Sequence, residues 1–521
     1  MFARVRHQSA AGTSSVAAET HPARTALTTA LLLALGITGS AEAKVFFVTN
    51  ATDSGPGSLR QAALDANAVS GPHKIMFALP AGTTIGLTTG EIKFAGTNVT
   101  VQGPGRDKLT ISGSHNSRIF EVQGNATLSV SSLTLRDGFA HGDDSNEADQ
   151  RGGAIEVGIP NHDLSVPPPA EVPGLVLNDI AILASEAYSP TDGGGGAVFM
   201  QDGRLTVDHC LMDGNFARRA GGAIHTRRGN VFITDSQFTN NTVDFSSAFG
   251  ENAAEGGGIE VNRSKAEIHR SVIRGNTLTG PVDGAGIGAG FCAFMQLEPV
   301  LIDSSEISDN QSTQIPFSIG GGVQCHEEPN GTGPTLTLVN STISGNVGNY
   351  GVGLEAGCNV DLFNATIAHN TSTNYFGDGG RPGIEAYTSN ASGQTRLTII
   401  SSLIAGNMGG GGDLGMYQYV GYADPAFLGS NALVQAPEAN VPLPPDTLVG
   451  IDPLIDVLAH NGGATRTHAL HFNSPAIDAG SNPTGLIFDQ RRQPFRRWVG
   501  GAPDIGAFEF AYLPGWTKPG K

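Results

Sequence analysis

Leu336-Thr337-Leu338-Val339-Asn340-Ser341-Thr342-Ile343-Ser344-Gly345-Asn346 is the stretch from which the fold is read. Its first, third and eighth places are apolar, its sixth is small and its eleventh is Asn. The same eleven-place frame starts at Leu128, Leu175, Leu205, Val231, Ala266, Val300, Leu336, Val360 and Leu397, which are 24 to 47 residues apart by subtraction. Repeats of this length signal stacked supersecondary units, none able to bury its apolar face alone. From Cys210 onward the sixth place is a column of small residues (Ser236, Ser271, Ser305, Ser341, Ala365, Ser402), which suits a tight corner. The eleventh place carries Asn215, Asn241, Asn276, Asn310, Asn346, Asn370 and Asn407. Asn tolerates left-handed turns, and stacked amides hydrogen-bond along a cross-β axis. That column is scaffold.

A Gly-rich approach precedes most frames, as in Gly152-Gly153-Ala154-Ile155-Glu156-Val157, Gly221-Gly222-Ala223-Ile224 and Gly351-Val352-Gly353-Leu354-Glu355. The apolar residue after the glycines points inward and the next points outward, because strand side chains alternate. Short strands also run ahead of the repeats, at 75–79, 91–94, 99–102, 109–112 and 119–122, with no helix-length pattern between them. Three strands and three turns per unit make an all-β parallel β-helix. A propeller needs blades of about 40–50 residues with aromatic signatures, and the chain has only two Trp.

Composition supports many turns and short strands: 72 of 521 residues are Gly, 39% are hydrophobic and only 15% charged. The net charge of −18 excludes nucleic acid and anionic membranes as natural partners, since both ask for a positive surface. Residues 1–43 read as a secretory signal peptide: Arg4, Arg6 and Arg24, an apolar run from Ala26 to Ile37, then Ala41-Glu42-Ala43. No later stretch is apolar enough to span a membrane, so the expectation is an extracellular or cell-surface protein. Residues 44–73 read as an N-terminal cap, with Ser58-Leu59-Arg60-Gln61 opening a short helix as a capping box. The stack is expected over 74–408 and irregular C-terminal coils over 409–521. Two excursions, His141–Arg151 and Pro160–Pro173, are loops. Cys292, Cys325 and Cys358 are spaced one repeat apart, so neighbours are able to meet across coils, while buried thiols are the alternative.

The outward place of the Gly-rich strand reads Glu156, Phe199, His225, Glu260, Gly288, Gln324, Glu355 and Glu385, and the next outward place includes Gln201, Arg227, Asn262, His326 and Tyr387. The candidate groove is therefore His225, Arg227, Glu260, Gln324, His326, Glu355, Glu385 and Tyr387, a mixture of carboxylate, amide, imidazole and aromatic groups suited to polysaccharide or a cell-surface glycan. Glu355 and Glu385 fall on adjacent rungs, where one carboxyl raises the pKa of the other as an acid/base pair requires. Binding or adhesion is the first expectation, and lyase or hydrolase chemistry in the same groove the alternative. No cofactor is expected; Ca²⁺ is conceivable at paired carboxylates, but no calcium-binding motif supports it. Val207-Asp208-His209-Cys210 is similar to a short run of pectate lyases, yet the frame makes Val207 its third place and Cys210 its sixth, hence scaffold.

Thr52-Asp53-Ser54-Gly55-Pro56-Gly57-Ser58-Leu59-Arg60-Gln61-Ala62 resembles the N-terminal segment of bacterial secreted β-helix proteins named for a Cys-Ser-Leu-Arg-Glu-Ala motif, with Gly57 for the Cys and Gln61 for the Glu. Asn461 to Phe510 is similar to the choice-of-anchor C-terminal module of the same proteins. The resemblance implies a right-handed parallel β-helix exported to the surface or medium, and implies no activity.

Overall fold

The computed structural model describes residues 43–141, 150–158, 165–188, 194–245, 254–280, 285–312, 317–327, 335–373, 382–389 and 393–511. The expected signal peptide lies outside them except for Ala43, as do much of the His141–Arg151 loop and the start of the Pro160–Pro173 loop.

The chain is a right-handed parallel β-helix. One coil shows the plan. Leu354–Gly357 belongs to an eleven-stranded sheet, Asn359–Phe363 and Thr366–Ala368 to a long second sheet, and Thr371–Ser372 to an eight-stranded third. Strand pairing between coils is parallel, and it follows the eleven-place frame. Leu336 pairs with Val300 before it and Val360 after it, and Val360 with Leu397. Each first, third and eighth place is turned into a continuous apolar interior, as with Leu336, Leu338 and Ile343.

Two bends in every frame take the left-handed conformation. The fifth place has φ between 47° and 53° from Ser132 to Ser401, and the tenth between 48° and 68° from Asp137 to Gly406. Sequence and conformation agree, since these places are filled by Asp, Asn, Ser, His, Arg, Ala and Gly and never by a β-branched residue. The residue after each bend is buried and bonds along the stack. Ser236 Oγ accepts from Cys210 N at 3.0 Å, and Ser341 Oγ from Ser305 N at 3.1 Å. In the amide column Asn310 Oδ1 accepts from Asn276 N and Nδ2, both at 2.9 Å, while Asn310 Nδ2 donates to Ile273 O at 3.0 Å and Asn346 Oδ1 at 2.9 Å. From Asn276 onward the glycine directly before the inward residue of the outward strand makes room for it. A Cβ on Gly290 would lie 2.7 Å from Asn310 Nδ2, and one on Gly322 2.9 Å from Asn346 Nδ2. In the coils of Asn215 and Asn241 that place is taken by Ala197 and Ala223.

At the N-terminal end, the expected short helix runs over Leu59–Asn67 and packs Leu59, Ala62, Ala63 and Ala66 inward. Half of the capping box forms: Ser58 Oγ accepts from Gln61 N at 3.1 Å, but the Gln61 side chain donates to Asp65 instead of turning back. Arg60 donates to Asp53 at 2.7 Å and to Glu91 O at 2.7 Å, fastening the helix to the first coils.

The ladder runs on beyond residue 408. Leu414–Tyr417 pairs with Ile384–Tyr387, and Ala426–Ser430 with Arg396–Ile400. The frame is disguised there because Gly429 (φ 136°) occupies the third place from Phe427 and Pro437 the eleventh. Asp413 ends the amide column, accepting from Asn407 N and Nδ2 at 2.8 Å each. After Val449 the chain has no regular strand among the described residues and lies along the flank of the stack. Arg466 reaches Glu306 at 2.7 Å, Thr342 Oγ1 donates to Gln490 Oε1 at 2.5 Å, and Ala507 N donates to Thr366 Oγ1 at 2.9 Å. Leu470, Ile477, Ile505 and Phe508 pack on Leu403 and Leu433. Two of the tail's arginines are paired locally, Arg491 with Asp489 at 2.6 Å and the fully buried Arg497 with Glu509 at 2.7 Å.

Cys325 and Cys358 form a disulfide with Cα atoms 5.5 Å apart, and Cys210 and Cys292 are buried thiols. Cys292 has the same one-repeat spacing to Cys325, but strand alternation turns Cys325 inward and Cys292 outward, beside Gln324.

Asn310→Ala removes acceptors and donors for Asn276, Ile273 and Asn346 in a fully buried position. At about 1–3 kcal/mol per orphaned group, urea unfolding is expected to show a loss of roughly 3 kcal/mol or more; a loss below about 1 kcal/mol contradicts the role given to the column.

Candidate functional site

The outward column of the eleven-stranded sheet is continuous in register: Lys93, Glu121, Glu156, Phe199, His225, Glu260, Cys292, Gln324, Glu355, Glu385 and Gly415. One expected place is corrected. Gly288 is not an outward residue; it is the left-handed glycine (φ 64°) before the strand, and Cys292 takes the outward place. The run Gly286-Ile287-Gly288-Ala289-Gly290-Phe291 offers two glycine–apolar phases, and only packing chooses between them.

The column divides into three chemical neighbourhoods. At the N-terminal end charges are paired: Lys93 with Glu121 at 2.6 Å, and Arg118 with Glu91 at 2.7 Å and Glu156 at 2.9 Å. Burial pushes Glu156 up to about 7 despite Arg118.

The middle is closed to solvent. His225 Nε2 lies 3.4 Å from Glu260 Oε2, with both residues at most 1% exposed. The distance suits an ion pair, but burial, followed by Arg227, Arg219 and Arg151, drives His225 well below the usual imidazole range. Burial, followed by the Glu255 charge, drives Glu260 well above the usual carboxylate range. Burial thus works against charge on both partners. The His326 ring is tilted against that of Phe294, with centroids 5.7 Å apart, and His326 is partly exposed.

The third neighbourhood is open. Glu355, Glu385 and Tyr387 line a cleft of about 290 Å³ together with Ile319, Tyr350, Tyr417 and Tyr419. Of the eight sequence candidates, the cleft gathers these three; Gln324 stands directly behind Glu355, and His225, Arg227, Glu260 and His326 line no part of it. Cys292 Sγ donates to Gln324 Oε1 at 3.2 Å, so a buried polar chain leads up to the cleft wall. Glu355 is 4% exposed, and its Oε2 is buried without a hydrogen-bond partner. Burial is the main reason its carboxyl rises to about 8; the Glu385 charge adds to this, and hydrogen bonds with Tyr387 and Gln324 oppose it. Burial and then the Glu355 charge push the Tyr387 hydroxyl well above the ordinary tyrosine range. Gly357 has a specific task here, since a side chain at 357 would collide with the Tyr387 ring. Gly415 has another: a Cβ there would sit 2.6 Å from the Glu438 carboxyl carbon, so a third carboxylate leans over the rung beyond Glu385.

Tyr417, Tyr419 and Tyr422 extend the wall outward, each at least 40% exposed. Tyr419 meets Tyr387 at 5.7 Å, Tyr417 at 4.7 Å and Tyr422 at 5.9 Å between ring centroids. Sequence reading did not find them, because Tyr417 belongs to the coil with the disguised frame and Tyr419 and Tyr422 follow it in a loop. The cluster of tyrosines within six residues was the available signal.

Asp208, His209 and Asp235 are the one group among the described residues with metal-ligand spacing. Arg270 occupies it, bonding Asp235 at 2.9 and 2.7 Å, and Asn178 and Thr234 bond Asp208. With His209 at a left-handed bend and Cys210 in the buried corner, the run is scaffold.

Residues 196–390 match the family model described as right handed beta helix region. Among solved structures the chain is similar to pectate lyase Pel9A, at 12% identity and TM-score 0.41, covering 90% of this chain and 97% of that one. It is also similar to the periplasmic alginate epimerase AlgG (11%, TM-score 0.38, 70% and 77%) and to the Azotobacter vinelandii mannuronan C-5 epimerase AlgE4 A-module (13%, TM-score 0.32, 78% and 100%). No curated protein matches the sequence. Likenesses this weak say nothing of activity. No helix among the described residues is long and apolar enough to cross a membrane.

A carboxyl that titrates near 8 when folded and near 4.5 when unfolded keeps its proton in the folded chain after the unfolded chain has released it. Its contribution to stability is therefore full below about pH 4.5 and is lost as pH rises through 8, by roughly 1.4 kcal/mol per pH unit. Glu355→Gln removes this slope: urea midpoints at pH 5 and pH 8 are expected to show the variant gaining on the parent by a few kcal/mol at the higher pH. A difference that does not change with pH contradicts the assignment.

Proposed function

We propose that the protein is exported and binds carbohydrate at the cell surface or in the medium, along the outward face of the eleven-stranded sheet, with the Glu355–Glu385 cleft as the principal subsite. The observation that carries this reading is an exposed, connected set of tyrosine rings beside two buried carboxyls on adjacent rungs. Sugar rings present C–H faces that pack on aromatic rings, and hydroxyls that exchange hydrogen bonds with carboxyl and phenol groups. A rigid strand stack holds such groups in place without a folding cost at binding. Residues 1–43 would serve export, and the flanking tail, with its resemblance to choice-of-anchor modules, would serve retention at the surface.

Cleavage is the second reading, and one observation favours it. Glu355 holds a proton near neutrality while Glu385 stands one rung away, on a strand about 4.8 Å distant. One carboxyl able to donate and another able to attack or activate water are the elements of glycoside hydrolysis. If the chain cleaves its ligand, Glu355→Gln and Glu385→Gln abolish turnover and preserve binding.

Glycan-array screening of the mature chain, followed by affinity electrophoresis on the best ligand, tests the proposal. Tyr419→Ala is expected to weaken binding about five- to tenfold, in line with about 1 kcal/mol or more for a stacked ring, and Phe232→Ala, exposed on the other sheet, to leave it unchanged. Equal affinity in Tyr419→Ala and parent places the ligand elsewhere and overturns the assignment.

A further inference from the structure

Resting on the carbohydrate reading, we propose that the cleft takes the terminal unit of a glycan chain, with the units behind it leaving over the tyrosine platform. On one side of the cleft the outward column is closed: Phe199, His225, Glu260, Cys292 and Gln324 are each at most 2% exposed. The backbone contributes to that closure. Gly256, Gly288, Gly320 and Gly351 have φ between 50° and 66°, and a Cβ on each would lie 2.8 or 2.9 Å from the Cβ of Glu260, Cys292, Gln324 and Glu355 respectively. The bend before each strand is thus folded onto the outward residue that follows it. Glu255, Ile287, Ile319 and Tyr350, the residues just ahead of these glycines, form a parallel ladder of their own beside the column. Of that ladder, Ile319 and Tyr350 line the cleft.

The other side is open. Tyr417, Tyr419 and Tyr422 are at least 40% exposed, and Val420 between them is fully exposed. The Tyr419 ring meets Tyr387 and Tyr417 in the cleft and Tyr422 beyond it, so aromatic surface continues from the cleft to the loop. Along the strand direction, Tyr350 stands ahead of the strands and Tyr387, its ring seated over Gly357, at their far end. At about 290 Å³ the cleft stands at the bottom of the range of about 300–1,000 Å³ for ligand pockets, too small for a long chain segment.

These limits decide between the two ways of holding a polymer. A unit in the interior of a chain has a neighbour on each side, so its groove needs two exits. Here the second neighbour would meet the closed column at Gln324 or the ladder at Ile319 and Tyr350. A terminal unit has one neighbour, and the exposed tyrosines offer that neighbour a surface on which a sugar face packs. An end-binding cleft therefore holds one protein molecule per chain end whatever the length of the chain, whereas an interior-binding groove finds more sites as the chain grows.

Isothermal titration calorimetry of the mature chain tests this with maltohexaose, laminarihexaose, xylohexaose and mannohexaose, each beside a linear polymer of the same linkage, and with cyclomaltohexaose, which has no ends. A bound sugar is expected to take one protein molecule per chain as hexaose and as polymer, with affinities per chain within about twofold of each other. Tyr419→Ala is expected to weaken both by the same factor. Borohydride reduction of a hexaose bound in this way opens the ring at its reducing end: loss of binding identifies that end as the one held, and unchanged binding the other. Several protein molecules on each polymer chain, or cyclomaltohexaose bound as tightly as maltohexaose, overturns the end reading and leaves the carbohydrate reading standing. Binding of none of these sugars, or unchanged affinity in Tyr419→Ala, overturns both.

Discussion

The interaction on which the structure depends is the buried amide column at the eleventh place of the repeat. Each Asn accepts from the backbone and side-chain amides of the Asn one coil earlier and donates to the Asn one coil later, through six successive pairs from Asn215 to Asn407. Each also donates to a backbone carbonyl of the coil before, such as Ile273 O for Asn310. From Asn276 to Asn407 the glycine just before the inward residue of the outward strand leaves room for the amide. Bend, glycine and outward strand thus keep one phase from coil to coil, which is why the residue after the inward Ile, Val or Leu always meets its counterpart one rung away.

That phase-keeping is what makes a site possible on so repetitive a scaffold. Glu355 and Glu385 are partners because Leu354 and Ile384 are, and those are partners because the coils close with the same bends. The column is chemically graded: paired charges at one end, a buried contact at His225 and Glu260, and an open tyrosine and carboxyl cleft near the other end. The opening lies where the frame weakens, at the coil containing Gly415 and the Tyr417–Tyr422 loop.

The repeat, the inward and outward faces, the capping helix and the Asn column were all legible in the sequence, because each is set by local pattern: apolar spacing, small corners and left-handed bends. Glu355, Glu385 and Tyr387 were legible for the same reason. Five things were not. Cys292 was hidden by two possible glycine phases, and the coil beyond residue 408 by Gly429 and Pro437 at frame places. The tyrosine wall was hidden because Tyr419 and Tyr422 lie in a loop whose placement depends on tertiary packing. The choice of Cys325–Cys358 over Cys292–Cys325 needed the side of the strand each thiol takes, and spacing alone is equal for both. The tail's course along the flank, through Arg466 on Glu306 and Ala507 on Thr366, rests on contacts between residues more than a hundred places apart.

Hydrogen–deuterium exchange of the mature chain, with and without its best glycan ligand, examines the central claim most directly. Ligand-dependent protection is predicted in peptides covering Tyr350–Gly357, Ile384–Tyr387 and Leu414–Tyr422, with the Asn column slow to exchange in both states. Protection confined to the bends around Asn340 and Asn364 or to the tail, with the cleft peptides unchanged, would contradict it.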